Sequence, residues 1–252
     1  ATNEIYTLSL HDALPILSAE TDGCFDITFS ALEDLWNFKG GNFRPPSAAA
    51  VAARLPLVGS KNILFTPDGR AISFSRPGMK IGMGAIAKGY AVMKGVQALK
   101  ERGVKAGIVD AGGDLQVFGK KFCSPWVTGL RHPRKESILL TLELNDMDAI
   151  ATSGDYERFV MRDGVRYHHI IDPHTGYPAR GLISVSVVSK SPVLSDAFAT
   201  AIFVMGLEKA REFLMRHGEI DVILVDEKMN LYVSRRLADR ISLVENRKME
   251  WL

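Results

Sequence analysis

Asp163-Gly164 sits between two runs that can extend, Tyr156 to Met161 and Val165 to Ile171, and in that setting Asp-Gly is the strongest short hairpin signal a sequence offers. Two strands are therefore predicted to meet at Arg162 to Val165. The turn fixes a register, and the register decides which side chains share a face. In the returning strand Tyr167, His169 and Ile171 fall on one side, with Arg166, His168, Ile170 and Asp172 on the other. The two adjacent histidines are thus expected to point opposite ways. Asp172-Pro173 stops the strand, and His174-Thr175-Gly176-Tyr177-Pro178 makes a second turn rich in backbone donors and hydroxyls. Such a turn suits a phosphate or an amide-rich ring, and it equally suits an ordinary hairpin.

The rest of the chain supplies a scaffold for this stretch. Its 252 residues, 46% hydrophobic and 24% charged, suffice for the core of one large domain or two small ones. A formal charge of +2 provides no broad basic field, so nucleic acid is not an expected partner. Arg131-His132-Pro133-Arg134-Lys135 reads as a solvated loop, and Cys24 and Cys123, without metal spacing, read as packing residues. No apolar run is long enough to span a membrane, and the N-terminus lacks the basic-then-apolar order of a signal peptide. Tyr6 to Ile16, YTLSLHDALPI, reads as a translated sequencing adapter. Residues 1–16 are accordingly expected to be a non-native segment that adds little to the core, and the domain proper to run from 17 to 252.

Taken in order, Thr21 to Thr28 is a turn followed by a short extended run, with Asp26 as a turn carboxylate. Ala31 to Phe38 is a short helix or turn carrying Trp36, Gly40 to Pro46 is loop, and Ser47 caps a helix through Ala53. Ile63 to Phe65 and Ala71 to Phe74 form a hairpin around Pro67-Asp68-Gly69. Glycines at 82 and 84 open a helix whose stripe is Ala85, Gly89, Val92, Val96 and Leu99, with Lys88 in its first turn and Gly103 at its end. That entry suits an anion, and it equally suits close helix packing. Ala106 to Val117 is two strands about the paired Gly112-Gly113. Trp126 to Arg131 pairs with Ser137 to Leu144, whose Leu140, Leu142 and Leu144 face inward. Leu182 to Val188 is a further strand. Ser195 caps a helix to Met205 that Gly206 closes, a second helix spans Leu207 to His217, and Asp221 to Val225 with Leu231 to Ser234 close the fold as a hairpin. Asp196 and Thr200, four apart, set two oxygens on one helical face. Such oxygens suit Mg²⁺, and they also suit a carboxylate answering the helix dipole.

The ordered set GAIAKGYA, DAGGDL, TSGDYERF, HHIIDPHTGYP and SDAFATAIFVMG resembles the FAD:protein FMN transferase family, the ApbE-type flavin transferases. The resemblance runs from about Leu17 to the C-terminus. It implies an α+β fold of mixed and antiparallel β-sheets with packed helices, T-fold-like, with FAD in a cleft between two lobes. It also implies a reaction that splits FAD into AMP and an FMN group esterified through its phosphate to a Ser or Thr of an acceptor electron-transfer flavoprotein. By the same resemblance Asp196 and Thr200 are side-chain ligands of Mg²⁺, with backbone carbonyls from Ala85 and Ala199. Cys24, Phe25, Asp26, Lys88 and Ile170 match FAD-contacting positions, and His169 matches the motif histidine near the scissile phosphates. The base for the acceptor hydroxyl is then His169 or a metal-held carboxylate such as Asp196. Many members carry Asp where Gly82 stands, Asn at Asp110 and Ala at Cys24. The family's N-terminal region has no counterpart before Leu17, so the domain is expected to be incomplete there, and membrane association would come only through an anchor missing from this chain. The family setting is the bacterial cell envelope or periplasm, and the sequence leaves a cytoplasmic one open. Two other functions are compatible with the same residues, a Mg²⁺-dependent FAD pyrophosphatase giving FMN and AMP, and a non-catalytic FAD-binding protein.

Overall fold

The structure, a computed structural model, describes residues 10–38, 43–66, 71–245 and 247–252. The chain divides into two compact units, Ala1–Ala85 with Glu157–Ala179 and Ile86–Tyr156 with Arg180–Leu252. It opens with α1 (Leu10–Glu20), whose Ala13, Leu14 and Leu17 are buried at helical spacing. The Thr21 hydroxyl ends that helix, donating to the Leu17 carbonyl at 2.7 Å and accepting from the Phe25 N–H at 3.1 Å. A short helix α2 (Ser30–Glu33) leads to Trp36, and α3 (Ala48–Arg54) starts as expected at Ser47, whose hydroxyl accepts from Ala50 N–H. β1 (Ile63–Phe65) and β2 (Ile72–Phe74) pair antiparallel. The turn expected at Pro67-Asp68-Gly69, and Gly40 to Asn42 of the expected loop, lie outside the described residues.

The second unit begins with α4 (Ala87–Glu101) and continues through β3 (Gly107–Asp110), β4 (Leu115–Phe118), β5 (Trp126–Arg131), β6 (Ile138–Leu144) and β7 (Ala149–Gly154). The chain then contributes β8 (Phe159–Arg162) and β9 (Val165–His168) to the first unit, with Asp163 and Gly164 at φ 50° and 74° between them, the hairpin the sequence specifies. It returns as β10 (Leu182–Ser189), α5 (Pro192–Arg216), β11 (Asp221–Asp226), β12 (Leu231–Val233), β13 (Ile241–Leu243) and β14 (Met249–Trp251). A seven-stranded sheet runs β14-β12-β11-β10-β7-β4-β3, antiparallel except where β14 lies parallel to β12, and a three-stranded sheet runs β13-β6-β5. The chain thus ends in two more strands beyond the hairpin that the sequence suggests as its close. Ile150, Ile183 and Val188 of the large sheet share one apolar cluster with Leu140, Leu142, Leu144 and Leu237. On β10 every residue is buried, because α5 packs against the strand as well. Among the described residues no helix is long and apolar enough to cross a membrane.

Three expectations are corrected. The long helix starts at Pro192, not Ser195, because Ser191 is the cap: its hydroxyl accepts from Leu194 N–H, and proline suits the first helical position. Gly206, at φ 72° and ψ 176°, does break the helix where expected. Arg131 to Lys135 is solvated only in part: Arg131 ends β5 and Lys135 is exposed, but the centre of the stretch is built into the fold. Arg134 grips the buried Asp155 with two bonds of 2.6 and 2.7 Å, and His132 is itself buried. Local sequence cannot show a carboxylate 21 positions away. Cys24 is buried, as a packing residue should be, but Cys123 is exposed on a turn where it and Phe122 hold φ values of 74° and 48°.

The fold also sets two stability tests. Ala13 and Leu14 lie inside residues 1–16 and are buried, which corrects the expectation that this segment adds little to the core, so removing it is expected to lower the thermal midpoint by several degrees, in keeping with the roughly 2 kcal/mol or more that a buried leucine contributes. A truncated chain melting with the full one would show the helix to be dispensable. Second, a Cβ on Gly89 would stand 2.2 Å from the Pro192 carbonyl oxygen and 3.0 Å from Asp196 Cβ. Gly89→Ala is expected to cost about 2 kcal/mol or more in urea denaturation despite the helix propensity it adds.

Candidate functional site

The polar cluster in the second unit is built by the close approach of α4 and α5. Gly89 is the third residue of α4, so its N–H has no acceptor within the helix. Asp196 Oδ2 takes it at 2.9 Å, and only the bare glycine lets the helices meet closely enough. Lys88, one residue earlier, places its ammonium 2.7 Å from Asp114 Oδ2, an ion pair by distance that lacks hydrogen-bond alignment. Asp114 is buried, and its other oxygen accepts from Thr152 N–H at 3.4 Å. One turn beyond Asp196, Thr200 Oγ1 lies 3.1 Å from Ser153 Oγ. Ala199 beside it is buried.

The electrostatics of this cluster are unbalanced. Burial, and after it the charge of Asp114, push the Asp196 carboxyl up to about 7, against the Gly89 N–H and the Lys88 charge, which favour its ionised form. Two buried carboxylates thus share one ammonium, with hydroxyls of Thr200 and Ser153 on the adjoining turn and strand. That donor set fits a small hard cation such as Mg²⁺, which takes oxygen ligands and few of them from protein. Among the described residues no group of three or more His, Cys, Asp or Glu side chains is placed to hold a metal, so the fit depends on hydroxyls and carbonyls. Asp114 and Ser153 escaped the sequence reading as site residues. Their signal lay in the DAGGDL and TSGDYERF motifs, but their burial and partners did not.

The first unit holds Cys24, Phe25, Asp26, Ala85, His169 and Ile170. Cys24 and Phe25 are buried, and Asp26 is fully engaged in holding its turn, accepting from Thr28 N–H at 2.8 Å and Ser60 N–H at 2.7 Å. Ala85 is the half-buried last residue before the second unit. His168 is buried with Nε2 2.9 Å from the Ala179 carbonyl oxygen, whereas His169 is half-buried and its N–H donates to the Arg158 carbonyl at 3.0 Å. The strand ends at His168, so the alternation expected through Asp172 stops there, and Ile170 and Ile171 are both buried. The second turn is pinned by its own side chains: Asp172 accepts from His174 N–H at 2.9 Å and from the Thr175 hydroxyl at 3.1 Å. His174 Nε2 sits 2.8 Å from the Asp22 carbonyl oxygen and ties the turn to the one before Cys24.

This is an α+β protein that gathers a lysine, paired carboxylates and hydroxyls at a helix entry, and its likenesses agree on its class. Among solved structures it is similar to the ApbE protein of Thermotoga maritima (TM-score 0.84, 37% identity, 91% of this chain and 75% of that one). It is also similar to the flavinyl transferase ApbE of Pseudomonas stutzeri (TM-score 0.75, 34% identity, 86% and 67%). Residues 7–224 match the ApbE family, and the chain belongs to it. Curated relatives called FAD:protein FMN transferase include those of Rhodobacter capsulatus, 33% identical over 91% of this chain, and Klebsiella pneumoniae, 31% identical over 84%. The chain spans 44% and 66% of the lengths of those two relatives.

The raised Asp196 value has a measurable sign. In metal-free buffer the folded chain holds that proton more tightly than the unfolded chain, so this group's contribution is greatest below the ordinary value of 3.8 and is lost as pH rises to about 7. Asp196→Asn keeps an oxygen for the Gly89 N–H and carries no charge. Urea midpoints of parent and variant are expected to coincide near pH 4, with the variant the more stable at pH 8 in chelator. A parent that is more stable at pH 8 would show the carboxylate to be comfortably solvated.

Proposed function

We propose that the chain transfers the FMN moiety of FAD to a Ser or Thr of an acceptor electron-transfer flavoprotein, with Mg²⁺ required. The bond broken is the phosphoanhydride of FAD, the bond formed is a phosphoester to the acceptor oxygen, and AMP leaves while the hydroxyl proton goes to a base. The observation that carries this reading is the buried Asp114–Asp196 pair with Lys88 at the entry of α4, in a chain of the ApbE family. Transfer of a phosphoryl-type group asks chiefly for positioning and for neutralising charge on phosphate oxygens. Lys88 and the N-terminal end of α4 supply positive potential, and Asp196 fixes the α4 entry through Gly89. By the resemblance, Mg²⁺ would be held by Asp196, Thr200 and the carbonyls of Ala85 and Ala199. When bound it would stabilise charge growing on the phosphate oxygens. For Cys24, Phe25, Asp26, Lys88 and Ile170 as FAD contacts, and for His169 near the phosphates, support comes from the motifs alone. For the bacterial cell envelope or periplasm as the setting, too, support comes from the family resemblance alone.

The test is to incubate the chain with FAD, Mg²⁺ and an unflavinylated acceptor and to weigh the acceptor. A gain equal to FMN less water, with AMP released, is the expected result. AMP with an unmodified acceptor would make the chain an FAD pyrophosphatase, and neither product would leave an FAD-binding protein. Asp196→Asn is expected to lower transfer by about a hundredfold or more. Thr200→Val should raise the Mg²⁺ concentration needed while metal-free FAD binding stays close to the parent's. Activities that match the parent across a Mg²⁺ titration would remove both residues from the metal site.

The histidine pair separates role from packing. His168→Ala loses a buried hydrogen bond and is expected to cost about 1–3 kcal/mol of stability. His169→Ala should leave the melting point near the parent's and lower transfer strongly. Equal loss of turnover in both, at unchanged stability, would contradict the assignment.

A further inference from the structure

We propose that the edge of β3 left unpaired among the described residues is where the acceptor protein docks, laying an extended segment along it as an added strand; this rests on the transfer activity proposed above. β3 closes one side of the seven-stranded sheet, and among the described strands it pairs with β4 alone. The phase of that ladder shows which groups remain. Ala111 N–H donates to the Asp114 carbonyl at 2.9 Å, and Val117, opposite Ile108, turns its N–H away to the Asp148 carbonyl at 2.9 Å. Bonded and non-bonded pairs alternate in an antiparallel ladder, so Gly107 and Val109 face β4 while the N–H and C=O of Ile108 and Asp110 point outward. Both residues are exposed, Ile108 at 42%. Sheet edges are usually protected by proline, lysine or a covering segment, and Gly107-Ile108-Val109-Asp110 carries neither of the two residues.

The two ends of this edge specify what would lie on it. At the Gly107 end, Gly119 packs so closely on Lys105 that a Cβ would meet its carbonyl oxygen at 2.3 Å, which gathers the exposed Lys105, Lys120 and Lys121. At the other end Asp110 runs into Gly112 and Gly113, both at positive φ with open space where a Cβ would be, and then into Asp114 of the carboxylate pair. A strand advances about 3.3 Å per residue, so a hydroxyl a few positions past the segment paired with Ile108 to Asp110 reaches that turn. The partner is therefore an extended acceptor segment with acidic residues at one end and its Ser or Thr at the other.

Ile108→Pro removes the outward N–H and spares the bonds to β4, a substitution that edge strands tolerate. The probe is an unflavinylated electron-transfer flavoprotein domain that the parent chain modifies. For Ile108→Pro, and for Lys120→Glu with Lys121→Glu, kcat/KM for this acceptor is expected to fall by about tenfold or more, with FAD affinity within about twofold of the parent. In the parent, the Ile108 and Asp110 amides should exchange hydrogen more slowly once the acceptor is added. Transfer by Ile108→Pro at the parental rate, or amide exchange that the acceptor leaves unchanged, overturns the proposal. Where the proline variant fails to bind FAD, the exchange measurement on the parent decides alone. A parent that modifies no such domain overturns the transfer reading itself, and the docking proposal with it.

Discussion

The second unit is organised around one hydrogen bond, from the Gly89 N–H to the Asp196 carboxylate. It joins the orphan donor of a helix entry to an acid on the neighbouring helix, and both would be costly to bury apart. The bond exists only because residue 89 has no side chain, which lets α4 come within touching distance of the Pro192 carbonyl. Helix contact, capping and charge placement are therefore one event. Whatever binds beside Lys88 and Asp114 meets a surface whose geometry is set by that contact.

Burial of the carboxylates gives the cluster its chemical character. Asp196 is buried beside Asp114, whose Oδ2 lies 2.7 Å from the Lys88 ammonium, so desolvation and repulsion both favour a proton on Asp196 or a cation beside it. The neighbouring strands hold this arrangement rigidly, since β10 is buried along its whole length and β7 presents Thr152 and Ser153 to the same region. In the first unit polar groups serve a different end. Asp26, Asp172 and His174 spend their hydrogen bonds on fixing turns, and Trp36, whose indole N–H donates to the Gly176 carbonyl at 3.0 Å, stacks on Tyr167 at 6.1 Å to hold them over an aromatic core.

Much of this was legible in the sequence, and the reason is local. Asp163-Gly164 dictated its hairpin because a tight turn with two positive φ values needs such residues, and Ser47, Gly103 and Gly206 marked helix ends through backbone chemistry within a few positions. The stripe Gly89, Val92 and Val96 named the buried face of α4, and the spacing of Asp196 and Thr200 placed two oxygens on one face of α5. Five ordered motifs carried the family. Tertiary structure alone decided what lay far apart along the chain. Asp114 reads locally as the end of a glycine turn and becomes half of a carboxylate pair only when the fold brings it beside Asp196. Arg134 reads as one charge in a basic loop until the fold brings it Asp155. His169 reads as the next residue of an alternating strand, yet the chain bends after His168 and ends the alternation. Sequence determines what each short segment can do by itself, because turns, caps and periodic faces are short-range properties; burial and long-range partners, which set charge and chemistry, exist only once the segments are packed.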